Sequence, residues 1–353
     1  MKTVVVGLSG GVDSSVAAFL LKEQGYKVIG LHMLGENKET SLQDEKRVKQ
    51  LCKTLNIECV VVDYKDHMQI VKDYFIKEYL SGRTPNPCVV CNKEVKFKPF
   101  LEYVEKLGAD YFATGHYARV EHNGDNHMLK KAVDISKDQS YFLCQLNKNQ
   151  LSKVLFPLGE LTKAEVKNIA KENNLVDENT KESYDICFLG SQKFKDFMNF
   201  NYPEKSGEIK DIKTNKVLGK HNGISKYTIG QRRGINLGGQ NGYEDNRWFV
   251  VKKDVQTNTL YVSCGEGNEL FSSSCLVTDF NWLKEIPTEE CECFVKLRYR
   301  QPDQLTKVEI KENGDVVLKF TEKQRAVTTG QFAVIYNSQD VCLGGGVITK
   351  VYE

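Results

Sequence analysis

Two cysteines lie three residues apart in the segment TPNPCVVCNKEVKF, which runs from Thr84 to Phe97. The pair, Cys88 and Cys91, follows two prolines and precedes a charged run that favours a helix. A C-x-x-C spacing fits half of a zinc site, a redox dithiol, part of an iron–sulfur site or two thiols with separate reactions. A third cysteine, Cys187, lies in the polar segment DICFLG much later in the chain. The spacing alone leaves these chemistries open.

A second candidate site is the glycine-rich stretch LSGGVDSS, which follows an apolar run and precedes a helical pattern. At such a junction, Gly10 and Gly11 let several backbone N–H groups face one concavity, and the helix N-terminus favours anions. The stretch lacks the lysine of the Walker pattern and does not match G-x-G-x-x-G. It therefore predicts a phosphate loop of another class.

The composition is that of a soluble globular protein with two or three domains. The chain has 353 residues, of which 40% are hydrophobic and 27% are charged. No apolar run approaches the roughly 18 residues that a membrane helix needs, and MKTVVVGLSGG lacks the apolar region of a signal peptide. Eleven cysteines, an odd number, fit a reducing compartment. We therefore expect a cytoplasmic protein that does not bind a membrane.

The first half of the chain alternates short β-branched runs with one-sided helical patterns. Val48, Leu51 and Leu55, for example, repeat at the spacing of one helix face. Predicted strands are Thr3–Leu8, Lys27–Met33, Glu58–Tyr64 and Asp110–Ala118, with a helix from Ser14 to about Gly25. This alternation predicts an α/β fold with a doubly wound parallel sheet.

The later parts of the chain show two other sequence patterns, one helical and one strand-like. A helical section from about residue 147 contains a capping box formed by Thr162 and Glu165. Apolar and polar residues alternate between Cys291 and Arg298, and further strand-like runs follow, as in a small β-barrel or sandwich. We therefore predict three domains, at residues 1–202, 203–272 and 273–353.

The predicted middle domain begins with a basic segment. Residues 205–234 contain eight Lys or Arg and two acidic residues, a local net charge of +6. Such a run is usually a solvated face. It becomes a phosphate-binding surface if the partner is a polyanion.

Eight segments together resemble the tRNA-specific 2-thiouridylase family. The pattern S-G-G-x-D-S is similar to the signature of the PP-loop ATP pyrophosphatases, a superfamily that includes these enzymes. The matching segments, in chain order, are GLSGGVDSS, TPNP..CNKEVKF, ATGHYAR, KDQSYFL, DICFLG, YTIGQRRG, RYRQ and VCLGGG. The resemblance covers nearly the whole chain and implies a PP-loop ATP-binding domain, a small central tRNA-binding domain and a C-terminal β-barrel.

The resemblance also implies three sets of binding residues. ATP, with Mg²⁺, would be bound by Gly7, Leu8, Ser9, Gly10, Gly11, Val12, Asp13, Ser14, Met33 and Gly115. The target base would be approached by Asn86, Pro87 and Cys88. Other parts of the tRNA would be contacted by His116, Lys137, Asp138, Gln139, Arg298, Tyr299 and Gln331.

The chemistry that the resemblance implies is sulfur transfer to C2 of the wobble uridine. ATP adenylates the C2 oxygen, so that AMP becomes the leaving group. Cys187 would carry a persulfide, with Cys91 as its partner in a later disulfide. Both must react as thiolates, and Lys93 and Lys96 are candidates for lowering their pKa. A cysteine desulfurase or a sulfur-relay protein would supply the sulfur.

Cys88 departs from the family pattern, which commonly has an aspartate at this position. Cys88 is then either a bystander to the persulfide chemistry or, with Cys91 and Cys187, a ligand of an iron–sulfur cluster. A zinc site with His116 as fourth ligand is a third alternative, and no metal ligand is assigned here. Two other functions stay open: a PP-loop ligase that inserts nitrogen into RNA, and a non-catalytic RNA-binding relative.

The remaining cysteines fit a simpler interpretation. A cysteine on an apolar periodic face usually behaves as a small buried hydrophobe. This interpretation applies to Cys52, Cys59, Cys144, Cys291 and Cys293. By contrast, Cys91 and Cys187 stand beside turn residues, and we expect neither to lie on an apolar face.

Overall fold

The computed structural model describes residues 1–34, 38–63, 65–176, 189, 194–237, 247–284 and 291–353. Its α-helices are α1 (Val12–Glu23), α2 (Lys38–Leu55), α3 (Lys65–Leu80), α4 (Pro87–Val90), α5 (Lys98–Lys106), α6 (Lys148–Lys153), α7 (Lys163–Glu172) and α8 (Phe194–Asn201). A π-helix spans Cys91–Phe97, and short 3₁₀ turns span Ser140–Leu143, Ile224–Lys226 and Asn268–Leu270. No helix in these ranges is both long and apolar enough to cross a membrane.

Among the described residues, the strands form three main sheets and one hairpin. In the first half they are β1 (Thr3–Gly7), β2 (Lys27–Leu34), β3 (Glu58–Asp63), β4 (Tyr111–Ala113), β5 (Ala118–Asn123), β6 (Asn126–Lys131) and β7 (Val154–Leu155). The central part has β8 (Gly207–Asp211), β9 (Val217–His221), β10 (Trp248–Asp254) and β11 (Thr259–Cys264). The last part has β12 (Phe271–Trp282), β13 (Cys291–Lys296), β14 (Gln304–Ile310), β15 (Val316–Arg325), β16 (Phe332–Tyr336) and β17 (Cys342–Tyr352).

The first sheet has the strand order β3-β2-β1-β4-β7, and all its neighbours are parallel. Strand β1 is apolar on both sides because both of its faces are covered. Val4 and Val6 pack in one cluster with Val16 of α1 and Val48 of α2. Val5 packs in the opposite cluster, with residues of α5. The predicted doubly wound parallel sheet is confirmed.

The fourth predicted strand is shorter than the sequence indicates. It ends at Ala113, and the chain turns before entering the β5–β6 hairpin. Gly115 lies in this turn, where an added Cβ atom would be 2.7 Å from the carbonyl carbon of Asp13. Only glycine allows the backbone this close to the phosphate loop. The prediction of one strand over Asp110–Ala118 is therefore wrong, because the chain turns around this contact.

The last six strands close into a barrel, in the order β12-β15-β14-β13-β16-β17. One wall of the barrel shares a hydrophobic core with the first domain. Phe332 and Val334 of β16 lie in the same buried cluster as Leu129 of β6 and Phe97. The central sheet, with order β10-β11-β8-β9, has its own core. The barrel is therefore packed onto the α/β domain through a continuous apolar interior.

Phe332 and Phe200 provide a matched test of this shared core. Phe332 is 4% exposed, whereas Phe200 is 84% exposed. Phe332→Ala should lower the free energy of unfolding by about 3–5 kcal/mol, since it leaves a cavity between barrel and α/β domain. Phe200→Ala should change it by less than about 0.5 kcal/mol. Urea unfolding followed by circular dichroism measures both, and equal midpoints for the two variants would contradict the shared core.

Candidate functional site

The phosphate loop joins β1 to α1 as the sequence predicts. Gly10 has a φ of +78°, and Gly11 is the extended N-cap of α1. The Ser14 hydroxyl donates to the Gly11 carbonyl at 3.1 Å and lies 3.2 Å from the Ser9 hydroxyl. These bonds order the loop around the helix N-terminus, where backbone N–H groups and the helix dipole favour an anion. Leu8 still pairs with β2, and Val12 is the first residue of α1.

Asp13 of the loop is held by two side chains that the sequence analysis missed. Lys163 Nζ lies 2.6 Å from Asp13 Oδ1, and the Tyr117 hydroxyl donates to the same oxygen at 2.9 Å. The Lys163 side chain is only 12% exposed. In sequence, Lys163 is simply the residue after the N-cap Thr162, so no motif indicates that it reaches the loop. The pair places a fixed cation beside the phosphate loop.

His116 follows Gly115 and faces an apolar environment. Burial, reinforced by the charge of Lys96, holds the pKa of His116 well below its ordinary value. Its Nδ1 is 2.8 Å from the Thr114 hydroxyl. His116 is therefore neutral at neutral pH, and it can contact RNA by a hydrogen bond but not as a cation. Lys93 is one of the two lysines that were expected to lower the pKa of a reactive thiol. Its Nζ lies 3.2 Å from Gln145 Oε1.

The cysteine segment is helical and places its two thiols in different environments. Cys88 is exposed on α4, whereas Cys91 begins the π-helix and is 5% exposed. Cys91 packs with Val71 of α3 and Val95 in a small apolar cluster. The expectation that Cys91 lies off any apolar face is therefore wrong, because the helix continues through the segment and turns this residue towards α3. Cys187 lies outside the described residues.

Met33 connects the cysteine segment to the edge of the sheet at which the phosphate loop begins. It stands near the end of β2 and packs against the cluster that contains Cys91. The carboxyl ends of parallel strands are where such sheets bind ligands. A nucleotide at this edge would therefore lie beside the cysteine segment.

The loop before α4 is held by the barrel. Gln331 Nε2 donates to the carbonyl oxygens of Thr84 and Pro85, at 2.9 and 3.1 Å. Asn86 is 7% exposed, and its Oδ1 has no hydrogen-bond partner. A buried acceptor without a partner is costly, and a donor from a ligand or an ordered water would satisfy it. The Gln331 amide, expected to contact tRNA, thus bonds the protein's own backbone, and Pro87 is buried at the start of α4.

Two other expected tRNA contacts, the buried Asp138 and the partly buried Arg298, form hydrogen bonds within the protein. The Asp138 carboxylate accepts hydrogen bonds from the backbone of Ala132 and from Ser140, and burial raises its pKa. Arg298 Nη2 donates to the Ala326 carbonyl at 2.5 Å and to Ile229 at 3.3 Å, which joins the barrel to the central domain. Both side chains position the segments that carry them.

The neighbours of these two residues remain accessible. Lys137, Gln139 and Tyr299 are partly exposed. The Tyr299 ring packs on Phe142 with ring centroids 4.3 Å apart. Burial, with smaller contributions from Asp138 and Cys88, raises the pKa of Tyr299. Tyr299 thus presents an aromatic surface next to the 3₁₀ turn Ser140–Leu143, which contacts α4.

The other cysteines lie mainly in apolar clusters. Cys52, Cys144 and Cys293 are buried, and Cys59 and Cys291 are partly buried. Burial is the main cause that raises the pKa of Cys52 and Cys293 to about 12. Such thiols are poor nucleophiles at neutral pH. Among the residues that the structure describes, no three His, Cys, Asp or Glu side chains form a metal-binding group.

Comparison with known proteins covers almost the entire chain. Residues 2–191 match the tRNA methyl transferase HUP domain, residues 195–264 the tRNA methyl transferase PRC-barrel domain and residues 272–348 the aminomethyltransferase beta-barrel domain. The tRNA-specific 2-thiouridylase MnmA of Mycoplasma capricolum is 47% identical over 376 residues, covering 99% of each chain. Its counterpart from Streptococcus agalactiae serotype Ia is 47% identical, covering 99% of this chain and 96% of that protein.

Solved structures match more distantly. The U34-tRNA thiolase NcsA from Methanococcus maripaludis, with its [4Fe-4S] cluster, is 21% identical and covers 57% of this chain and 67% of its own. The TM-score of 0.37 is too low to support any inference about this protein. The full-length sequence matches decide the assignment. The chain belongs to the family of tRNA-specific 2-thiouridylases.

Proposed function

We propose that the protein is a tRNA-uridine 2-sulfurtransferase that converts the wobble uridine to 2-thiouridine at the expense of ATP. The observation that carries this proposal is the contact of Met33 with the Cys91 cluster, at the carboxyl end of β2, which pairs with β1 just before the phosphate loop. A site for adenylation and a site for thiol chemistry thus meet at one sheet edge. A ligase that inserts nitrogen would have no use for this juxtaposition.

In the first step, the loop binds the phosphates of ATP. Backbone N–H groups at the start of α1 and the ammonium of Lys163 offset the negative charge of the phosphates. Asp13 is the carboxylate that would hold Mg²⁺, which supplies further charge neutralisation when bound. The C2 oxygen of uridine attacks the α-phosphorus, pyrophosphate leaves, and C2 becomes electrophilic.

The target base would lie between the cysteine segment and the barrel. The orphaned Asn86 Oδ1 offers an acceptor for a base N–H, and Tyr299 offers an aromatic surface. Exposed Cys88 borders the same space. Lys137, Gln139 and the basic residues Arg232 and Arg233 would contact the RNA around it.

In the second step, sulfur replaces the activated oxygen. The terminal sulfur of a persulfide on Cys187 attacks C2, and AMP departs with the former C2 oxygen. The Cys91 thiolate then attacks the inner sulfur of Cys187, which breaks the S–S bond and leaves both electrons on the sulfur attached to C2. The resulting Cys91–Cys187 disulfide is reduced by an external thiol. Cys91 must become accessible from its apolar cluster for this step.

An iron–sulfur cluster on Cys88, Cys91 and Cys187 is the alternative source of sulfur. Cys88 supports it, since it adds a thiol one helical turn from Cys91. Only two of the three cysteines, Cys88 and Cys91, lie among the described residues. We further propose a cytoplasmic location, a desulfurase or relay protein as sulfur donor, and domain limits at 1–202, 203–272 and 273–353.

The adenylation site can be tested with Asp13 and Lys163. Asp13→Asn and Lys163→Met should each slow tRNA-dependent pyrophosphate release by about 100- to 1000-fold, because the first removes the carboxylate that would hold Mg²⁺ and the second removes a fixed cation beside the phosphates. Lys22→Met is the control, since Lys22 lies on α1 with Asp13 but donates its hydrogen bond to the Leu55 carbonyl, away from the phosphate loop. Single-turnover pyrophosphate assays measure the rates, with thermal melting as the check on folding. Release of ADP and phosphate would refute the adenylation step.

The role of Cys88 separates the two sulfur sources. Cys91→Ser and Cys187→Ser should abolish thiolation, because each thiol has its own covalent step. Cys88→Asp should retain substantial activity and bind no iron. Thiolation and iron content are measured on anaerobically prepared protein, with Cys88→Ser as the control for loss of the thiol alone. If Cys88→Asp instead loses both iron and activity relative to wild type, the cluster is the sulfur source, since a carboxylate is a poor ligand for cluster iron.

A further inference from the structure

The tip of the β5–β6 hairpin carries two histidines that face each other. Its sequence is HNGDNH, in which Gly124 and Asp125 form the turn and Gly124 has a φ of +59°. The register pairs His122 with His127, one position away from the residues that flank the turn. Residues that flank a two-residue turn form a hydrogen-bonded pair, so the next pair is non-hydrogen-bonded and has its side chains closest together. The hairpin thus places two imidazoles side by side.

The two rings contact each other through their Nδ1 atoms. These nitrogens are 2.9 Å apart, and the ring centroids are 5.0 Å apart with an interplanar angle of 68°. On the other side of its ring, His122 Nε2 lies 3.3 Å from the carbonyl oxygen of Val154 in β7. A carbonyl oxygen only accepts hydrogen bonds, so the proton of neutral His122 lies on Nε2. The Nδ1 of His122 therefore presents a lone pair to His127.

His122 is held in the way that metal-binding histidines are held. Such a histidine generally donates its second ring N–H to a carboxylate, a backbone carbonyl or water, which fixes its tautomer and its orientation. The Val154 carbonyl does this for His122, and the Tyr111 ring lies beside it, with the ring centroids 6.5 Å apart. His127 presents a second lone pair when its proton moves from Nδ1 to Nε2. Two nitrogen donors are then available at one place on the surface.

The distance between the two nitrogens indicates which metals fit. A metal at the usual distance of about 2.0–2.1 Å from both nitrogens would see them at an angle of about 90°, because they are 2.9 Å apart. Nitrogen ligands at right angles suit square-planar or tetragonal Ni(II) and Cu(II), whereas Mg²⁺ prefers oxygen ligands. The last torsion of a histidine side chain is broad, so the rings can turn both lone pairs towards one metal. His122 is exposed, so water can complete the coordination.

We propose that His122 and His127 form a binding site for a divalent transition metal of the Ni(II) or Cu(II) type, which links the two strands at the tip of the hairpin. The site is separate from the thiolation chemistry and from the Mg²⁺ that would accompany ATP. At its other end, the hairpin is joined to the barrel through Lys131. Metal binding therefore stabilises an element that connects the α/β domain to the barrel.

One neighbouring charge opposes metal binding and provides a test of the position of the site. Lys2 Nζ donates to the Tyr111 hydroxyl at 2.7 Å, which places an ammonium near His122. Burial and His127 lower the pKa of His122, and Lys2 contributes in the same direction. The same repulsion acts on a bound cation. Lys2→Met should therefore lower the free Ni(II) concentration needed for half-saturation several-fold, and an unchanged or higher concentration would contradict the site.

Equilibrium dialysis of the full chain against Ni(II) counts the ions that each protein binds. Wild type should bind one ion more than His122→Gln or His127→Gln, because a glutamine side chain lacks the imidazole lone pair. His67→Gln, which removes a partly exposed histidine of α3, should bind as many ions as wild type. Ni(II) is the probe because Cu(II) oxidises exposed thiols such as Cys88. Equal counts for wild type and both hairpin variants would overturn the proposal.

Thermal melting tests whether the metal stabilises the folded hairpin. A ligand that binds only the folded state raises the melting temperature. Ni(II) should raise the melting temperature of wild type relative to His122→Gln and His127→Gln, whereas the three proteins should melt alike without metal, because neither histidine is buried. An excess of Mg²⁺ should leave the nickel effect unchanged. Equal Ni(II)-induced shifts in all three proteins, or loss of the effect in Mg²⁺, would overturn the proposal.

Discussion

The buried ammonium of Lys131 joins the two halves of the active region. It lies at the end of β6 in the α/β domain, bonds Asp303 and Asp340 of the barrel, and sits 4.6 Å from the ring centre of Tyr336. Burial works against its charge, but the two carboxylates outweigh this and raise its pKa. A buried ammonium of this kind adds little net stability when paired, but it is costly when its carboxylates move away. The ion pair therefore favours one orientation of the barrel relative to the α/β domain.

That orientation determines the shape of the proposed base site. Once the barrel is fixed, Gln331 can reach the backbone before Asn86, and Tyr299 can pack on Phe142 of the turn that contacts α4. The apolar core shared by Phe332 and Leu129 supplies the stability that the ion pair does not. A site that needs a nucleotide, a base and thiols at one edge thus depends on contacts between distant parts of the chain.

The sequence predicts the structural elements that depend only on residues close together in the chain. The parallel sheet follows from short β-branched runs, the phosphate loop from its glycines, and the capping box of Thr162 and Glu165 is present as expected. Motif resemblance marks the segments that carry Asp138 and Arg298. It does not reveal that both side chains form hydrogen bonds within the protein, because partners such as Ala326 are distant in sequence. Such roles depend on tertiary contacts that no spacing rule encodes.

The same limit explains the residues around the loop and the thiols. Lys163 is 150 residues from Asp13 along the chain, so its contact follows from how α7 packs on α1. The burial of Cys91 depends on a π-helix, which sequence patterns do not indicate.

The central claim, that ATP activates the C2 oxygen beside a reactive thiol, can be tested by following that oxygen. A tRNA carrying ¹⁸O at C2 of the wobble uridine is thiolated under single-turnover conditions, and the AMP is analysed by mass spectrometry. The account predicts one ¹⁸O atom in AMP for each 2-thiouridine formed, because the activated oxygen leaves with the phosphoryl group. Unlabelled AMP accompanying 2-thiouridine would contradict it.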